Sequence, residues 1–214
     1  MTGTPVCVAV EGPCCAGKTT LTRRLRHALP GVAVGVAACY ADHVGGGRYL
    51  PRPVPESLAE DQQALQRLLA VEAGRVARAC APLPDLLLLD RSVHTLLAHR
   101  HALQQLTGLP CLLPATITIR GSAAACWPEL VLHLAVPQTT IEARNGGKFP
   151  DDSIYLDTAY NAALDTYYTR LADQATPAVL RLDGTRPTGS LLSDAAGRIT
   201  RLLHDSRPPR RPPR

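Results

Sequence analysis

The chain has 214 residues, 45% of them apolar but only 4% aromatic, which suits one ordinary α/β domain with a core of Leu, Val and Ala. Its formal charge of +5 invites a nucleic-acid reading, but Arg207, Arg210, Arg211 and Arg214 carry four of those charges, so the body is near neutral and nucleic acid is not the expected partner. No apolar run reaches the roughly eighteen residues of a spanning helix, and the N-terminus lacks the basic segment and long apolar stretch of a secretory signal.

The first strand is read at Val6 to Val10, nearly continuous in small and β-branched residues, as a strand buried on both faces should be. Gly12, Pro13, Cys14, Cys15, Ala16, Gly17, Lys18 and Thr19 follow, the G-x-x-x-x-G-K-[ST] phosphate loop between a strand and a helix. The glycines let the backbone curl so that several N–H groups converge on phosphate oxygens at the positive end of that helix. Lys18 is placed for the β- and γ-phosphates, the Thr19 hydroxyl for Mg²⁺, and Thr20 stands beside them in the first helical turn. The chain is expected to bind ATP. Leu21 and Leu25 give the helix its buried side, Arg23, Arg24 and Arg26 its solvated one, and Pro30-Gly31 ends it.

A second strand is expected over Val32 to Cys39. Asp42 then falls beyond its carboxyl end, where ligands of open α/β sheets lie; it is a candidate base for an acceptor hydroxyl, with a turn-forming role as the alternative. Gly45-Gly46-Gly47 and the proline-rich RYLPRPVPES form a loop, and Ser57 with Glu60 makes a capping box for a helix running toward Cys80. Glu72 and Arg75, three apart on that helix, read as a surface pair. Leu86-Leu87-Leu88-Leu89-Asp90 has the Walker-B pattern, a strand that aims a carboxylate at Mg²⁺. Arg91, next along, suits a phosphate or a sugar hydroxyl.

A helix from about Ser92 to Leu106 closes on Thr107-Gly108, and its His94, His99 and His101 have no accompanying ligand pattern for a metal. Residues 109–128, with a short Thr-Ile-Thr-Ile alternation, read as an edge insertion or part of an acceptor pocket. A strand at Leu130 to Val136 leads through Pro137 into a helix reaching Arg144. The charged, glycine-containing stretch at about 144–152 has the character of a lid that closes over ATP, with Arg144 and Lys148 bringing positive charge to the transferring phosphoryl. Ser153 to Asp173 reads as helix, Ala178 to Leu182 as the last strand, and Ser190 to Leu203 as the closing helix. RPPRRPPR, at 207–214, has the composition of a disordered tail. The seven cysteines include no C-x-x-C pair, which argues for reduced thiols in a cytoplasmic protein rather than a disulfide framework or a zinc site.

The phosphate loop, Asp90-Arg91-Ser92, Arg144 with Lys148, and Asp183-Gly184-Thr185-Arg186-Pro187 occur in an order that resembles the thymidylate kinase and deoxynucleoside kinase group of phosphate-loop kinases. The resemblance implies one three-layer α/β domain over residues 1–206, with a parallel core sheet and a lid. It also implies MgATP-dependent phosphorylation of a nucleoside, a nucleoside monophosphate or a similar small acceptor. Arg91 would contact the acceptor, and Arg186 would lie near the adenine. Two departures stand out: Cys14 where thymidylate kinases commonly carry an acidic residue, and Asp42 where deoxynucleoside kinases place a glutamate base. Homodimerisation is left open. A nucleotide-hydrolysing switch or partner-binding module is the competing class, although no triphosphate-sensing loop is legible.

Overall fold

The computed structural model describes residues 4–206; the tail expected over 207–214 lies outside the described residues. Five strands, β1 (Val6–Glu11), β2 (Val34–Ala37), β3 (Leu86–Asp90), β4 (Leu130–Ala135) and β5 (Ala178–Asp183), form one sheet in the order β2-β3-β1-β4-β5. All neighbouring pairs are parallel. Parallel neighbours need crossovers, and helices therefore cover both faces of the sheet.

The alternation of strand side chains builds two cores. β1 sends Val6, Val8 and Val10 to one face and Cys7 and Ala9 to the other, while β3 divides Leu86 and Leu88 from Leu87 and Leu89. Helices α1 (Lys18–Leu25) and α8 (Thr188–Asp205) cover the first face with residues such as Leu21, Leu25, Leu191 and Ile199. The second face is covered by α4 (Val93–Thr107) and α7 (Thr158–Ala172), with the end of α3 (Leu58–Ala79) packed beside them. The result is the expected three-layer α/β domain with a parallel core sheet. Among the described residues no helix is long and apolar enough to cross a membrane.

Several boundaries differ from the sequence reading, each for a packing reason. β2 is four residues long, and a Cβ on its Gly35 would collide with the Ala79 carbonyl, so this glycine lets the end of α3 rest on the strand. Asp42 sits on a single-turn helix, α2 (Tyr40–His43), and not in an open loop. The Thr-Ile-Thr-Ile stretch lies in a helix, α5 (Leu112–Arg120), because Ala115 and Ile119, four apart, are both buried on one side. That spacing overrides the β propensity of the threonines and isoleucines. The segment after the expected lid makes a short 3-10 turn at Ile154–Leu156, and Asp157, not Ser153, caps α7 by accepting from Tyr160 N at 2.7 Å. Helix α6 (Gln138–Asn145) carries Arg144 in its last turn.

Candidate active site

The carboxyl ends of β1, β2, β3 and β4 converge on the phosphate loop, which turns from β1 into α1. Gly12 opens the turn at φ +134°, and a Cβ there would strike the Leu134 carbonyl of β4. The loop can pass between strand ends only because this residue has no side chain. Among the described residues, no amide of Cys14 to Gly17 donates to a backbone carbonyl. The first amides of α1 have no intrahelical acceptor either. Unpaired donors at the start of a helix have the chemistry to bind an anion.

Lys18 is 6% exposed, and its Nζ donates to the Pro13 carbonyl inside the loop. Burial lowers its pKa to about 8, and the nearby Arg91 charge adds to the effect. A bound phosphate would favour the charged amine and reverse that shift. Thr19 Oγ1 donates to Asp90 Oδ2 at 2.6 Å, joining the phosphate loop to the end of β3. Asp90 is only 2% exposed, and its other oxygen, Oδ1, is buried without a hydrogen-bond partner. An orphaned carboxylate oxygen beside a threonine hydroxyl has the chemistry that Mg²⁺ takes up, hard oxygen donors completed by water and phosphate. Among the described residues no group of three or more His, Cys, Asp or Glu side chains could hold a metal. A cation at Asp90 would therefore draw the rest of its coordination from nucleotide and solvent.

Arg91 adopts φ +70°, an uncommon conformation for a side chain branched at Cβ or longer. Its own N–H donates to the Val10 carbonyl at 3.1 Å, and its carbonyl accepts from Arg75 Nη2 at 2.5 Å. The side chain reaches back over the phosphate loop, with Nη1 3.5 Å from the Gly12 carbonyl and Nη2 3.4 Å from Cys14 Sγ. Cys14, at the departure from the thymidylate kinase pattern, is thus where the guanidinium rests. Burial opposes the Arg91 charge, but Cys14, Glu11 and Asp90 outweigh it and raise its pKa.

Two features that hold this turn escape the sequence reading. Glu11, fully buried, accepts from Ser92 N at 2.7 Å and Ser92 Oγ at 2.6 Å through Oε1, and from Thr95 Oγ1 at 2.5 Å and Tyr168 OH at 2.9 Å through Oε2. It ties the end of β1 to the start of α4 and to α7. The second is the Glu72–Arg75 pair, expected on the surface and found with both side chains fully buried, 2.6 Å apart. Arg75 donates to the carbonyls of Ala38 at 2.9 Å, Asp90 at 3.2 Å and Ala37 at 3.5 Å, and its guanidinium lies 4.3 Å from the Tyr40 ring centroid. Carbonyls at the ends of two parallel strands need donors that no further strand supplies, and a buried guanidinium provides them. The periodicity held a signal for this: Leu65, Leu69, Glu72 and Arg75 are all buried on one stripe of α3.

Asp42 is exposed on α2, and the Cys39 thiol, raised by burial, also feels the charges of Asp90, Asp42 and Arg91. Arg144, exposed in the last turn of α6, donates to the Gly184 carbonyl at 3.1 Å and lies 3.5 Å from the Ala16 carbonyl, bridging α6, the phosphate loop and the turn after β5. Lys148 is exposed, with Nζ 5.4 Å from the Phe149 ring centroid, and its charge reaches Cys15 in the phosphate loop. Arg186 turns instead to Asp194 of α8, at 2.7 Å. Thr20 is exposed in the first turn of α1. The histidines of α4 are structural in their contacts. His99 bridges the Pro53 carbonyl at 2.8 Å and Tyr160 OH at 2.6 Å, and His94 Nδ1 meets Tyr167 OH at 2.9 Å.

No protein-family model matches the sequence, and no curated protein matches it. Solved structures do match in fold. The chain is similar to deoxyadenosine kinase from M. mycoides with bound dCTP, at a TM-score of 0.64 and 12% identity over 92% of this chain and 100% of that one. It is similar to the same kinase with the products dCMP and a flexible dCDP, at 0.63 and 12% identity, with coverage of 92% and 100%. With dATP bound, the TM-score is 0.61 and the identity 12%, over 91% and 100% of the two chains.

Proposed function

We propose that this chain transfers the γ-phosphoryl group of ATP to a nucleoside, a nucleoside monophosphate or a similar small acceptor. The observation that carries the reading is the meeting of Lys18, the Thr19–Asp90 pair and Arg91 at the carboxyl end of the parallel sheet. The nucleotide-bound kinases that share the fold support a nucleoside-like acceptor.

The chemistry follows from charge. The loop amides and Lys18 bind the donor phosphates and favour charge on them as the leaving oxygen departs. Thr19 and Asp90 would hold Mg²⁺, which would supply Lewis-acid stabilisation of charge on the phosphates. Arg91 extends from a rigid turn and orients the acceptor through paired N–H donors. Arg144 and Lys148 bring further positive charge from the α6 side, and closing that segment excludes water. Asp42 accepts the proton of an acceptor hydroxyl as its oxygen bonds to phosphorus; a phosphate acceptor would need no such base.

The test is an acceptor screen with nucleosides, nucleoside monophosphates and unrelated hydroxylated metabolites, reading ADP release and product mass. A phosphorylated product formed with one acceptor class supports the reading. ADP release that no acceptor stimulates would replace it with a nucleotide-hydrolysing switch.

A further inference from the structure

Near the start of β1, away from the phosphate loop that follows its end, two thiols from distant parts of the chain meet. Cys7 is buried, and its Sγ lies 3.4 Å from Sγ of Cys126, a partly buried residue just ahead of β4. One backbone and one side-chain hydrogen bond hold the two segments together: Glu129 N donates to the Cys7 carbonyl at 2.8 Å, and Cys7 N donates to Glu129 Oε1 at 3.2 Å. A disulfide requires sulfurs at about 2.05 Å, so closure asks for side-chain rotation and only a small approach of the sulfurs. We propose that Cys7 and Cys126 are a dithiol site that hydrogen peroxide oxidises to an intramolecular disulfide.

The two sulfurs are unlike, which assigns their roles. Cys126 is the more accessible, and its hydrogen bond with Cys7 lowers its pKa, whereas the same bond and burial raise that of Cys7. The Cys126 thiolate attacks a peroxide oxygen, the O–O bond breaks, and sulfenic acid and hydroxide form. Cys7 sulfur then attacks the Cys126 sulfur; its S–O bond breaks, and the departing hydroxide takes the Cys7 proton as water. With one proton returned to the first hydroxide, two thiols and one peroxide become one disulfide and two waters. Cys80, at the end of α3, feels the charge of Cys126 and is the competing partner. The disulfide would close a sequence separation of 119 residues, restricting the unfolded chain.

The experiment treats the full chain with hydrogen peroxide, blocks remaining thiols and maps non-reduced peptides by mass spectrometry. A Cys7–Cys126 linked peptide that disappears on reduction, with a raised unfolding temperature for the oxidised protein, is expected. Cys7→Ser should stop the reaction at a Cys126 sulfenic acid that dimedone traps, and Cys126→Ser should abolish the linkage. Pairing of Cys126 with Cys80, or oxidation confined to Cys14 and Cys15, in the unsubstituted protein would overturn the proposal, whatever the variants do.

Discussion

At the scale of single residues, Lys18 is a buried amine held inside the phosphate loop. Its amine is turned into the phosphate loop and rests on the Pro13 carbonyl, where desolvation lowers its pKa to about 8. In the proposed reading an arriving phosphate would exchange that neutral acceptor for a charged one. Lys18→Ala should cut phosphoryl transfer by on the order of 10²–10³ fold, with an unchanged circular dichroism spectrum; parental turnover in a folded variant contradicts the role. Asp42 differs in kind, because it is exposed on α2, and the proposed reading makes it the base for an acceptor hydroxyl. On a hydroxyl acceptor, Asp42→Asn should lower kcat by roughly 10²–10⁴ fold while ATP binding, read by calorimetry, stays at the parental level. Full activity on such an acceptor removes Asp42 from the mechanism.

Between elements, the fold depends on polar groups that join strand ends. Arg75 of α3 binds carbonyls at the ends of β2 and β3, with Glu72 fully buried beside it. Arg75→Ala leaves a buried carboxylate without its cation and should cost about 3–5 kcal/mol in urea unfolding. Replacing Glu72 and Arg75 together with Met should recover part of that loss, because no lone charge remains, yet turnover should stay low because the Arg91 turn has lost its donor. A double variant no more stable than Arg75→Ala would refute this reading. On the α6 side the proposed contribution is kinetic. Lys148 is exposed, so Lys148→Ala should leave the unfolding curve unaltered, whereas Arg144→Ala, which removes the donor to the Gly184 carbonyl, should cost at most about 1 kcal/mol. If these cations act on the transferring phosphoryl, both variants should lose kcat by a larger factor than ATP affinity. Parental kcat in both would reduce the segment to a basic surface loop.

Across the whole molecule, buried histidines make stability depend on pH. His94 and His133 are 3% and 1% exposed, and burial lowers each pKa to about 4. In the unfolded chain the value is about 6.5, so between those values the unfolded state binds more protons than the folded one. Stability should therefore be level with respect to these groups above pH 6.5 and should fall as pH drops from about 6.5 to 4, by roughly 3 kcal/mol for each histidine. Urea unfolding across that range, with His133→Gln as the comparison, measures it; an equal slope in the variant would exclude His133. The site and the core are thus one construction: His133 stacks on Tyr168, at 4.5 Å between ring centroids, and Tyr168 donates to the Glu11 carboxylate that anchors the Arg91 turn.

What the sequence by itself determined is whatever local chemistry specifies. The glycine spacing of the phosphate loop, the apolar run ending in Asp90 and the Gly108 cap need only their neighbours in the chain, and the α/β order with its parallel sheet follows from alternating strands and helices. Strand ends and helix starts meet at one edge of such a sheet, which is why Lys18, Thr19, Asp90 and Arg91 were legible as a group. The tertiary structure decided the residues whose partners lie far along the chain. Glu11 looks like the last residue of a strand until Ser92, Thr95 and Tyr168 close around it. Glu72 and Arg75 look like a solvated pair until the ends of β2 and β3 leave carbonyls for them to satisfy. The physical reason is the same in both cases: burying a charge is favourable only when its full set of hydrogen-bond partners is assembled, and those partners come together only through long-range packing.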